Sequence, residues 1–137
     1  MTASKKTLTV ATWLMLTGVL SCVFALDPFF LPPVAHPTKL IGTWSAQVGK
    51  VKHEVSFSAD FTFSGKCMVD GNVTDEYSGK WSLDDRDNLS WTYVQSKVLE
   101  KNSTDKDRIM SIDANAMSLL TSDRKIRNYT KVPDHKK

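Results

Sequence analysis

The sequence has 137 residues, 41% of them hydrophobic and 24% charged, with a formal net charge of +3. That is the size and composition of one globular domain plus an export segment, and it leaves no room for a second domain. Loss of Lys5 and Lys6 with the export segment would bring the charge to +1, a balance that argues against a nucleic-acid partner, which needs Lys and Arg clustered on one face.

The chain opens with Lys5 and Lys6, then runs apolar from Leu8 to Leu26 with no charge before Asp27. This is the basic n-region and apolar h-region of a secretory signal, so residues 1–25 are expected to be a signal peptide or a signal anchor. Three endings compete. Val23-Phe24-Ala25 resembles an A-x-A site with cleavage after Ala25. Val19-Leu20-Ser21-Cys22 resembles a bacterial lipobox, in which Cys22 would carry the lipid. An uncleaved anchor is the third, because a run of this length can span a bilayer, and Lys5 and Lys6 would hold its start in the cytoplasm. Each ending exports the domain. It is then periplasmic or secreted, or held at the membrane by Cys22 or by the anchor, and membrane contact is expected only through this segment.

Of the two cysteines, Cys22 lies in the export segment and leaves Cys67 alone, so stability has to come from a packed core without a disulfide. Residues 26–38 form a spacer. Within it, "DPFFLPPVAHP" holds four prolines in eleven residues, which makes it stiff and extended. It either stands the domain off a membrane or lays Phe29, Phe30 and Leu31 against the domain surface.

From Lys39 to Val132 the pattern has period two, the signature of half-buried strands. The first strand is read over Leu40–Val48. Val51, His53, Val55 and Phe57 share one face of the second. Phe61, Phe63, Gly65, Cys67 and Val69 share one face of the third, after a tight turn at "SAD". Asp70-Gly71 suits a hairpin turn, because both residues accept positive φ. Tyr77, Gly79, Trp81 and Leu83 alternate next; "DDRDN" turns the chain, and Leu89, Trp91 and Tyr93 return. Shorter strands follow near Arg108–Ile112, Met117–Thr121 and Lys125–Val132, before a basic tail at 133–137. About eight antiparallel strands in sequence make a meander. Closing the sheet removes its exposed edges, so the expected fold is all-β: a single small up-and-down barrel. A barrel of this size is either filled by side chains or holds one small ligand.

"KLIGTWSAQV" at 39–48, with Gly42-Thr43-Trp44, resembles the G-x-W opening of the lipocalin and fatty-acid-binding superfamily. "YSGKWSLDDRDNLSWTY" at 77–93 is similar to a strand pair of small bacterial lipocalin-like domains. The resemblance implies structural roles for Gly42 and Trp44, with Trp44 closing one end of the barrel and packing on Arg127 or Arg124 from the last strand as a cation–π pair.

His53, Phe57, Trp81, Trp91, Tyr93 and Arg127 are the candidate ligand-binding residues: the rings supply apolar area, and His53 and Arg127 supply polarity. The same aromatic residues would equally fill a core. Cys67 and His53 come within reach if strands two and three pair, but no third group orients them, and no catalytic residue is expected. His36, His53 and His135 lack zinc spacing, and Asp84, Asp85 and Asp87, like Asp105 and Asp107, lack the glycine and glutamate of a calcium loop and read as solvated turns, so neither a metal nor a cofactor is expected. Asn72, Asn88, Asn102 and Asn128 begin N-x-Ser/Thr sequons, which mark glycans in a eukaryotic protein and carry little meaning in a bacterial one. Two functions stay open: a monomeric, non-enzymatic binding protein for a small apolar or amphipathic ligand, or a filled β domain that docks an envelope protein.

Overall fold

The structure is a computed structural model that describes residues 35–134. The signal segment, Cys22, the spacer through residue 34 and the tail from residue 135 lie outside the described residues. Eight strands follow one short helix: α1 (Pro37–Leu40), β1 (Gly42–Val48), β2 (Val51–Phe57), β3 (Thr62–Val69), β4 (Asn72–Leu83), β5 (Asn88–Gln95), β6 (Thr104–Ile112), β7 (Ala116–Leu120) and β8 (Ile126–Lys131). Each strand pairs antiparallel with the next, and β8 returns to β1, so the sheet closes into an up-and-down barrel. Pro32–Lys137 is a compact unit that holds every one of these pairings and the whole described core, so it has what it needs to fold by itself.

The turns follow local chemistry. Asp70 and Gly71 take φ of 50° and 81°, the left-handed pair that matches the twist of a two-residue hairpin. At the next hairpin, Asp84 accepts the amides of Arg86 and Asn88, both at 2.9 Å, which replaces the ladder bonds lost there. The turn after β2 is one residue longer than its "SAD" signal implies. Phe61 has φ 64° and stands 51% exposed, tilted against the Trp81 ring rather than sharing the inner face with Phe63.

The start of the barrel also differs from the expected strand at Leu40. Pro37 presets the first helical turn, and α1 carries Leu40 into the barrel floor, where it is fully buried. Gly42 then turns the chain into β1 at φ 120°, with the Lys131 side chain so close that a Cβ there would lie 2.7 Å from its Cε. The Trp44 indole N–H donates to the Leu40 carbonyl at 2.8 Å, which fixes helix to strand. Trp44 closes this end, as the resemblance implies, but its cation is neither Arg127 nor Arg124. Lys131 is the β8 residue opposite Trp44, and its Nζ lies 4.4 Å from the ring centroid while donating to the Ile41 carbonyl. Arg127 pairs with Leu119, four residues earlier on β8 and toward the other end.

The core runs from this closed end to the middle of the barrel. Trp44, Val55, Leu89, Ile109, Met117 and Leu119 are almost fully buried. Phe57 meets Trp81 edge-on at 5.6 Å and Trp91 at 5.1 Å, so one aromatic chain fills the interior that an apolar ligand would need. Ala35 donates to the buried Asp87 carboxylate at 2.9 Å and ties the entering chain to the closed end.

Candidate functional site

Above the aromatic layer the interior becomes polar. A cavity of about 220 Å³ opens at the end that carries the β7–β8 turn. Tyr77, Trp91, Tyr93 and Tyr129 wall it, and Asp105, Asp107 and Arg127 project into it beside Thr121–Asp123. The parity of the strands puts them there. Asp105, Asp107 and Ile109 share the inner face of β6, and Arg127 and Tyr129 share that of β8.

Phe63 supports the ring walls, standing edge-on to Trp91 at 5.1 Å and to Tyr93 at 5.6 Å. Tyr77 packs against Tyr93 at 6.0 Å. Tyr77 lies across Gly65, its cross-strand partner: a Cβ at Gly65 would lie 2.4 Å from the Tyr77 ring, so only glycine leaves room for that orientation. Burial pushes the Tyr77 and Tyr93 phenols far above their ordinary range, so both stay protonated donors.

Asp107 is buried, with 8% of its surface exposed. It accepts the Trp91 indole N–H at 3.1 Å and the Ser122 amide at 3.3 Å. Burial, followed by the charge of Asp105, nevertheless raises its pKa. Burial alone would lower the Arg127 pKa, but the Tyr129 hydrogen bond and the charges of Asp107 and Asp123 outweigh it and hold the guanidinium above its usual value. Among the described residues, no carboxylate reaches Arg127 at ion-pair distance. The cavity therefore offers a half-buried cation, two carboxylates and phenol donors between aromatic walls, a set that orients a small polar group.

His53 and Cys67 face each other across β2 and β3, with the Cys67 thiol 3.3 Å from His53 Nδ1. Burial, then the Arg127 charge, lowers the imidazole pKa; burial, then Asp75, raises that of the thiol. Both groups are thus held neutral, the reverse of the thiolate–imidazolium pair that a nucleophile requires.

Of the candidate residues, the structure brings Trp91, Tyr93 and Arg127 to the cavity, with His53 close enough to sense the Arg127 charge. Phe57 and Trp81 do not line it; they pack in the core below, with the Trp81 indole donating to the Ser58 carbonyl at 3.3 Å. The sequence reading missed Tyr77, Asp105, Asp107 and Tyr129. A signal for the two acids existed, since they continue the alternation of Ile109 toward the start of β6.

Asn72, Asn102 and Asn128 are exposed, whereas Asn88 is half-buried and donates its side-chain amide to Asp84 at 2.8 Å. Among the described residues no group of three His, Cys, Asp or Glu side chains is placed to hold a metal ion. A separate hollow of about 390 Å³ lies outside the wall of β2–β4, floored by Ser56, Ser64 and Ser78 and bordered by Glu54, Lys66 and Glu76.

No family model matches the sequence, and no curated protein matches it. Among solved structures, the chain is similar to a lipocalin-like protein from Bacteroides uniformis, with 18% identity and a TM-score of 0.52 over 69% of this chain and 99% of that one. At that identity the likeness concerns the fold, and together with the closed eight-strand meander it shows that this chain is a lipocalin-like β-barrel.

Proposed function

We propose that the chain is an exported, non-enzymatic, monomeric binding protein whose open end holds the polar part of a small amphipathic molecule. The supporting observation is the cavity itself: four aromatic side chains and Arg127 converge on a hollow of about 220 Å³, while the rest of the interior is packed. Such a volume takes a head group and a short apolar portion, not a long chain threaded through the barrel. The neutral Cys67–His53 pair supports a role without catalysis. The basic, then apolar, opening of the sequence supports export.

The packed aromatic interior favours a second reading, a filled envelope domain that docks a protein. Native mass spectrometry of the protein recovered from its own source distinguishes the two. A discrete small-molecule increment over the denatured mass is expected; an empty chain, or a complex with another protein, overturns the ligand reading. The denatured mass also tests export: a chain beginning at Leu26, or a lipid increment on one beginning at Cys22, is expected from a processed signal.

A further inference from the structure

The two ends of the barrel differ in charge and in exposed apolar surface. The connections at the closed end, 58–61, 84–87 and 113–115, carry five acidic residues and one basic. Those at the open end, 49–50, 70–71, 96–103 and 121–125, carry five basic residues and three acidic. Six of the eight large hydrophobic residues exposed in the described structure also stand at the open end: Val48, Val73, Val94, Val98, Leu99 and Ile126.

The display of Val98 and Leu99 is built rather than incidental. Ser96 Oγ accepts the amides of Val98 and Leu99 at 3.1 and 3.0 Å, and donates to the buried Asp75 carboxylate at 3.1 Å. Asp75 also accepts the Lys97 amide at 3.1 Å. This anchored turn holds Val98 outward at 75% exposure, with Lys97 and Lys101 beside it.

We propose that this rim docks on an anionic lipid surface, with Val98 and Leu99 entering the headgroup layer and Lys50, Lys97, Lys101 and Arg124 facing the lipid phosphates. Aliphatic tips flanked by lysine suit a bilayer interface. Protein interfaces instead enrich aromatic residues and arginine and deplete lysine, and the one exposed aromatic among those eight residues, Phe61, is at the closed end. Docking by this rim would turn the mouth of the cavity toward the lipid.

The test is sedimentation of Pro32–Lys137 with vesicles of equimolar phosphatidylglycerol and phosphatidylcholine, against pure phosphatidylcholine. Binding to the anionic vesicles alone is expected, falling at least about tenfold between about 50 mM and about 500 mM salt. Val98→Asp with Leu99→Asp should abolish it, and Lys97→Glu with Lys101→Glu should weaken it at least about tenfold, without a change in melting temperature. Asp85→Lys, a charge change of the same size as one Lys→Glu at the other end, should leave it intact. Failure to sediment with the anionic vesicles overturns the proposal. So does binding that depends on the lysines but survives the aspartates at 98 and 99, which would mean electrostatic adsorption without entry of the apolar tips into the headgroup layer. Neither result affects the ligand reading, which the native mass decides.

Discussion

The closed and open ends of this barrel are made from the same eight strands but solve opposite problems. At the closed end, α1, Trp44 and Lys131 stack into a plug in which every polar group has a partner: the indole N–H meets the Leu40 carbonyl, and the lysine meets both the ring and the Ile41 carbonyl. At the open end, Asp105, Asp107 and Arg127 occupy inward positions where folding alone would place aliphatic residues, and Asp107 is held at a cost that its raised pKa records. Only the second arrangement is difficult to explain as packing. Strained or partly compensated polar groups of this kind are where function is expected to reside.

If the two ends are separable in this way, core substitutions near the closed end should give the largest losses of stability and leave the cavity chemistry intact. Trp81→Ala removes a buried ring that packs on Phe57 and Phe61, and should cost about 3–5 kcal/mol in chemical denaturation. Gly65→Ala probes the boundary between the regions. Its new methyl must displace the Tyr77 ring, at a cost of about 1–3 kcal/mol, and ligand occupancy should fall with it.

Smaller effects test the open end. Asp107→Asn should change the melting temperature by no more than a few degrees at pH 7, because removal of the buried charge is offset by the loss of one acceptor: the asparagine oxygen can serve Trp91 or Ser122, and its NH2 then faces the other donor. The pH dependence is the clearer readout, and its sign follows from linkage. The folded-state pKa of Asp107 lies above the ordinary carboxylate value, so the wild type gains stability from this group as pH falls through that window, and the variant should not. His53 acts in the opposite direction. Its pKa is lowered in the fold, so its cost is absent above the ordinary value of 6.5 and grows as pH falls below it. His53→Gln should therefore flatten the loss of thermal stability between about pH 7.5 and about pH 5.5.

Alternation and turn chemistry made the scaffold legible. Asp70-Gly71 announced its hairpin, the Val51–Phe57 and Phe63–Val69 patterns placed His53 opposite Cys67, and the run of short strands implied closure. The site was less legible, because strand β6 was read as starting near Arg108. Asp105 and Asp107 then fall outside the strand, although they have the same parity as Ile109. Aromatic residues posed a different difficulty. Periodicity marks Trp81 and Trp91 alike as inward, and only the closed sheet shows that one lies in the packed layer and the other borders the cavity. Lys131, rather than an arginine, meets Trp44 because register along β8 decides the contact, and register is not written in a single strand.

The decisive measurement is ligand occupancy by native mass spectrometry in two variants produced in the protein's own source, Trp81→Ala and Tyr93→Ala. Folded Trp81→Ala is expected to carry the same small-molecule increment as the wild type, whereas Tyr93→Ala, with a cavity wall removed, is expected to be empty. Equal occupancy in both, or loss in Trp81→Ala alone, would contradict the assignment of binding to the open end.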